Sequence, residues 1–284
     1  AFGTMTEDLL ALSDWLTGAG CTHVATESTG VYWKPIYNLL EGDFAFVLAN
    51  ARHIKAVPGR KTDVRDCEWI ADLLRHGLLQ ASFIPDRTQR ELRELTHYRT
   101  SLVRERTAEA NRLQKTLEGA NIKLAAVAAD ILGKSGRAML EALVSGTTDN
   151  TVLADLAKGR LREKIPQLQQ ALQGLVGLHQ RFMVAQQLAH IDFLDESIAQ
   201  VSTEVGKRLH MASAEETINR LDGIPGIGRY LAEALVAEIG TDMSRFPTAK
   251  HLASWLGCVP AITRALESAI AAKSAREAHG SRLC

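Results

Sequence analysis

The sequence predicts an α/β segment followed by a long, all-helical region. Three observations predict it. Strand-like and helix-like runs alternate over roughly the first 84 residues. More than thirty residues beyond residue 86 contain no helix breaker. A glycine-rich turn then separates two short amphipathic runs around residue 226.

The elements follow in order. "TMTEDLLALSDWLTGAG" predicts an amphipathic helix, with Thr4 and Glu7 spaced as a capping box and Gly18 and Gly20 as its stop. "CTHVATEST" predicts a strand ending at Glu27. "YWKPIYNLLEG" is a second helix and "FAFVLAN" a second strand. Strand, helix, strand implies a parallel pair with a crossover helix. Beyond residue 86, Leu92, Thr96, Arg99, Val103, Arg106, Ala110, Leu113 and Leu117 step by four and three. That is a heptad seam with polar positions in it. A middle punctuated by Gly and Ser covers residues 119–160. A second long helix is expected over about 165–209, its seam at Ile165, Leu168, Leu172, Leu175, His179 and Phe182. The two helices predict an antiparallel coiled coil, with His179 a packed core residue; a plain helical bundle is the alternative.

Bulk properties narrow the function. An apolar content of 46% supports a folded core and excludes a disordered chain. Net charge is zero, but residues 1–50 carry one Lys/Arg against six Asp/Glu, and residues 51–115 carry fourteen against nine. The basic segment hints at a polyanionic partner. Cys21, Cys67, Cys258 and Cys284 form no C-x-x-C pair, so neither a zinc site nor a redox motif is read from them. With no apolar run of about 18 residues and no signal peptide, a cytoplasmic protein without a membrane span is expected.

Residues 218–240, "INRLDGIPGIGRYLAEALVAEIG", predict two helices around a glycine turn. Gly223, Gly226 and Gly228 allow a tight turn with amides close to a ligand. Ile224 and Ile227 are expected to anchor it from beneath, and Leu231, Leu235 and Ile239 to form the apolar stripe of the second helix. A helix N-terminus with free amides suits a phosphate. The pattern resembles the helix-hairpin-helix of DNA repair and recombination proteins. Arg229 is a candidate phosphate contact or a solvated arginine.

"GRKTDVRDCEWIADLL", residues 59–74, carries Asp63 and Asp66 where a basic loop becomes a helix. Spacing alone fits an N-cap with an acid at the third helical position. Residues three apart also share a helix face, so the pair can equally be two ligands of Mg²⁺, with Glu27 as a third. An acid at the end of a parallel strand sits where α/β sites assemble; Glu27 can also be a solvated strand end. Arg52, Lys55, Arg60 and Lys61 lie just upstream, as a nucleic-acid contact or a solvated loop.

"ATESTGVYW", then "GRKTDVRDCEWIADLL" about 35 residues later, then the long helices, then "IPGIG" together resemble the DEDD transposases of bacterial insertion sequences, which are related to the Piv and MooV invertases. The resemblance spans residues 1 to about 260. It implies a RuvC-like domain of the RNase H superfamily over 1–84, an antiparallel helical coiled coil over 85–210 and a helix-hairpin-helix transposase domain over 211–260. It implies Glu27, Asp63 and Asp66 as catalytic, metal-binding acids for Mg²⁺ or Mn²⁺. It further implies DNA contacts from Arg60, Lys61, Gly223, Ile224, Gly226, Ile227, Gly228 and Arg229, DNA as partner, a structured guide RNA in some members, and a homo-oligomer through the coiled coil.

Two departures stand out. The family's first aspartate, in a pattern like G-I-D-x-x-K, is not among these residues. Past "HLASWLGCVP" the expected serine loop and basic stretch are replaced by "AITRALESAIAAKSAREAHGSRLC". Back-translated and read two bases later, that tail can yield the serine loop, so residues 261–284 are read as out of frame and Ser268 and Ser274 as not the nucleophile. The expectation is a transposase fragment, incomplete in its RuvC-like domain and catalytically inactive. The alternatives are a non-enzymatic DNA-binding protein that regulates an intact transposase, and a junction nuclease that only resembles RuvC.

Overall fold

A computed structural model describes residues 2–50 and 63–257, with the side chains of residues 63–66, 254, 256 and 257 outside the description. The chain divides into two compact units, Ala1–Asp86 and Arg87–Cys284.

In the first unit α1 (Thr6–Gly18) leads to β1 (His23–Glu27), α2 (Trp33–Leu40) and β2 (Ala45–Ala49), and α3 (Asp63–Arg75) follows. The expected capping box at α1 is not formed. Met5 is the N-cap, and its thioether offers no oxygen to the first amides. Glu7 instead sits in the first turn beside Asp8, where negative charge favours the positive helix end. Gly20, at φ +70°, ends the helix as expected: its left-handed backbone lets Cys21 N–H reach Leu16 O at 3.0 Å. β1 and β2 pair in parallel, His23 opposite Ala45 through Glu27 opposite Ala49. The crossover helix rests on the sheet through Tyr37, whose ring meets Phe46 edge to face at 5.0 Å. Leu40, Leu48, Ala49 and Leu73 form the buried interior of this unit.

The second unit is built on two long helices, α4 (Arg87–Gly119) and α9 (Leu178–Met211). Arg208 pairs with Glu91, Arg106 with Asp195 and His190 with Glu109, so rising numbers on one helix meet falling numbers on the other and the pair is antiparallel. Between them lie α5 (Leu124–Val127), α6 (Lys134–Val144), α7 (Asn150–Asp155), a 3-10 turn (Gly159–Lys164) and α8 (Ile165–Ala171). Leu113, Leu117, Met139, Leu140, Leu153, Leu168 and Ile191 build a core at that end. A second core at the opposite end joins Leu92, Val205 and Leu209 to Ala214, Ile218, Ala232 and Val236. Leu102, Leu194 and Ile198 form the narrow apolar contact between the two.

Two expectations change here. Residues 165–209 are not one helix. Gly174 breaks the run, because a Cβ there would lie 2.4 Å from Ala120 O and 2.7 Å from Ile122 Cδ1. Leu175 N–H donates to Ala120 O at 2.9 Å and Lys123 N–H to Ala171 O at 2.7 Å, so the chain closes back on the end of α4 instead of continuing as helix. Leu175, His179 and Phe182 are consequently exposed, and His179 is no core residue. The buried face of α9 is Val184, Gln187, Leu188, Ile191, Leu194, Ile198, Val205 and Leu209. On α4 the seam holds at Leu92, Thr96, Arg99, Leu113 and Leu117, but Leu102 and Glu109 are buried where Val103 and Ala110 were expected. A straight helix turns every 3.6 residues, so a strict 3.5 repeat drifts off the buried face by the middle of a helix this long.

Candidate acid cluster and nucleic-acid hairpin

Glu27 is the last residue of β1 and is half-buried. α3 packs beside β1, and Asp63 and Asp66 lie three apart at the start of its described residues. A strand end and a helix start in one compact unit are what a carboxylate set at the edge of a parallel sheet requires. Carboxylate oxygens are the hard donors that Mg²⁺ and Mn²⁺ take, so the donor chemistry fits a divalent ion. Among the described residues no three metal-ligating side chains converge, and the carboxylates of Asp63 and Asp66 lie outside that description. Arg52, Lys55, Arg60 and Lys61 also fall outside the described residues.

The glycine turn is formed as expected. α10 (Glu215–Asp222) and α11 (Arg229–Ile239) flank it. Gly226 adopts φ +94°, a left-handed conformation that any side chain would strain. Gly228 is the extended N-cap of α11. The first bonds of α11 run from Leu231 and Ala232 N–H to Gly228 O. The amides of Arg229 and Tyr230 therefore precede the helix's own ladder, at its positive end.

Three details of the hairpin differ from expectation. Ile227 packs against the core, but Ile224 is 46% exposed and anchors nothing from beneath. The buried stripe of α11 is Ala232, Leu235, Val236 and Ala237, because the helix is covered on the face that meets α4; Leu231 and Ile239 are only half-buried. Arg229 is exposed to solvent, as one of the two readings had it, but it is not free. It bridges Glu215 at 2.8 Å and Glu233 at 3.1 Å, and Glu215 first and Glu233 second hold its guanidinium more firmly protonated than usual.

The sequence reading missed the residues that hold the hairpin in place, and they lie on α4. Arg99 pairs with Glu233 at 2.5 Å, with side-chain exposures of 3% and 8%. Its guanidinium also lies over the Tyr230 ring at 4.3 Å, a cation–π contact. Gln89 Nε2 donates to Ala237 O and Glu238 O, both at 3.2 Å, and Arg93 Nε donates to Ala237 O at 3.2 Å. These donors satisfy carbonyls that the last turn of a helix leaves without partners. Arg93 and His97 both engage the buried Glu238 carboxylate. Arg99 and Thr96 had announced themselves as polar residues on an apolar seam; the seam is polar there because it faces α11 as well as α9.

Two family models match the chain. Residues 1–122 match a transposase model of the DEDD, IS110 type. Residues 218–277 match a model described as transposase, IS116/IS110/IS902 family, which takes in the glycine hairpin and reaches into the tail read above as out of frame. No curated protein matches the chain.

Proposed function

Because the chain belongs to the DEDD-type transposases of insertion sequences, we propose that it works on the DNA of such an element through two sites, an acid cluster and a DNA-holding hairpin. Glu27, Asp63 and Asp66 are the acids, in a RuvC-like first unit. A divalent ion held by them would polarise a phosphodiester and activate the attacking oxygen. The hairpin of α10 and α11 presents the amides of Arg229 and Tyr230 to a DNA phosphate, which fixes position on the backbone without reading bases. Arg229 reaches that phosphate by exchanging its Glu215 contact for it. The long antiparallel helices serve as a coiled coil that joins two chains. What supports that contact is the exposure of Phe182 and Phe193 on α9, eleven residues apart and so on one helical face.

The observation that carries the reading is the pairing of the two matches with the two features: the first spans Glu27, Asp63 and Asp66, and the second spans the Gly223–Gly228 turn. These 284 residues contain three of the four acids the resemblance implies and no Ser-Gly loop in the tail. The chain by itself is therefore expected to hold DNA without completing strand transfer. The test uses purified chain with element-end duplex and Mg²⁺. Duplex binding with no cut or joined product supports the proposal. Metal-dependent strand transfer by this chain overturns its second half, and absence of any duplex binding overturns the first. A structured RNA from the element, added to the same assay, shows whether a guide changes either result.

A further inference from the structure

Most arginines of the second unit are spoken for. Arg93, Arg99, Arg106, Arg112, Arg137, Arg208, Arg220, Arg229 and Arg245 each face a carboxylate. Arg104 and Arg181 face none among the described residues, but they stand singly; in one region such cations gather. Lys134 opens α6, and Lys158, Arg160 and Arg162 lie in or against the 3-10 turn Gly159–Lys164. All four are exposed. None of the four side chains has an ion pair or hydrogen bond among the described residues.

The backbone brings them together. Lys158 N–H donates to Ser135 Oγ at 2.9 Å, which ties the turn to the first residues of α6. Gly159, at φ +59°, makes the sharp bend that allows this. Lys134, Ser135, Lys158 and Gly159 share the lining of an open cavity of about 390 Å³. Asp130 also lines it, with its carboxylate engaged by Leu132 N–H at 2.9 Å. Glu163 is the one acid inside the turn, and Lys164 beside it donates to Val127 O at 3.4 Å. The patch therefore has a clear positive excess in a chain whose total charge is zero.

An unpaired cluster of cations carries a cost in self-repulsion that a structural role would relieve with carboxylates, as most arginines of this unit do. Two free lysines at a concave surface, with two free arginines in the adjoining turn, match the phosphate oxygens of a nucleic-acid backbone. We propose that Lys134, Lys158, Arg160 and Arg162 form a second, sequence-independent contact to the duplex DNA on which the transposase works, separate from the glycine hairpin. It rests on the reading of the chain as a DNA-handling protein. It gives the helical region a role in gripping DNA as well as in spacing or pairing chains.

The test measures duplex binding against salt for four proteins. One is the chain itself. The second carries Lys134→Gln, Lys158→Gln, Arg160→Gln and Arg162→Gln. The third carries Lys115→Gln and Lys207→Gln, two exposed lysines elsewhere on α4 and α9. The fourth carries Gly226→Val in the hairpin. Each phosphate contact contributes about 0.9 to the slope of log affinity against log salt, so the fourfold variant is expected to lose about 2 to 3.6 of that slope. The lysine control is expected to keep its slope, and Gly226→Val to retain the salt-dependent component that the fourfold variant lacks. An unchanged slope in the fourfold variant overturns the proposal, whatever Gly226→Val does. A fourfold variant that loses RNA binding but keeps duplex binding overturns it as well. Loss of binding in Gly226→Val alone bears on the hairpin and leaves the two readings distinguishable. Because all four positions are exposed, circular dichroism identical to that of the unaltered chain confirms that the folded state is the one measured.

Discussion

Arg99 and Glu233 are nearly sealed from solvent, at 3% and 8% side-chain exposure, with a contact of 2.5 Å. Taking away one partner of such a pair leaves a buried charge with inadequate compensation, at a cost of about 3–5 kcal/mol. The structure sharpens that range for each side. In Arg99→Met, Glu233 keeps Arg229 at 3.1 Å, a half-exposed partner, so the loss belongs near the lower end, about 3 kcal/mol. In Glu233→Leu, Arg99 keeps only the Tyr230 ring and a 3.4 Å bond to Tyr230 O, so the loss belongs near the upper end, about 4–5 kcal/mol. The double variant removes both charges and leaves two apolar side chains of similar size; it should lie within about 1 kcal/mol of the unaltered chain. Amide hydrogen exchange in α11 under native conditions reads this locally, so unfolding of the first unit does not enter. The reasoning fails if the two single losses simply add in the double variant, or if either single loss stays under about 1 kcal/mol, the range of an exposed pair.

Other outcomes follow from the same structure. Gly174→Ala forces a methyl against Ala120 O and should cost about 1–3 kcal/mol, read as a lower urea midpoint at unchanged m. Asp63→Ala with Asp66→Ala should leave duplex affinity within about twofold, while Gly226→Val should weaken it by about tenfold or more, since only the second distorts the backbone proposed to meet phosphate; equal losses in titration would place DNA on the acid cluster instead. Glu91 is held below the usual carboxylate range by Arg208 first and Arg87 second. A depressed pKa contributes stability above the unfolded value of about 4.3 and loses it as pH falls through the folded one. The melting temperature of Glu91→Gln should therefore fall below that of the parent at neutral pH, and the gap should close as pH drops under about 4; a gap that persists in acid contradicts the assignment.

Much of this was legible in the residues. The parallel strand pair followed from two short apolar runs around "YWKPIYNLL", and the turn from three closely spaced glycines, of which Gly226 takes the left-handed backbone. Helix α4 was visible as an unbroken run. What periodicity could not show was what covers each face. Ile165 to Phe182 steps by three and four, yet the close approach of Gly174 to Ala120 decides the local structure, and that contact joins residues 54 apart in the chain. The support of the hairpin by Gln89, Arg93, His97 and Arg99 was illegible for the same reason: each partner lies more than 130 residues away. Glu27, Asp63 and Asp66 are proposed from their order and spacing in the chain rather than from any local energetic signal.

The grip of α4 on the last carbonyls of α11 bears on how such a protein can be taken apart or reassembled. A segment that began after α9 would carry the glycine turn intact but would leave Glu233 and Glu238 facing water or a foreign surface, and Ala237 O without its donors. The hairpin is thus not a cassette that can be cut out and grafted. Its third wall is contributed by the start of α4, more than a hundred residues earlier in the chain, and any exchange of this hairpin between related proteins has to move the first four turns of α4 together with it.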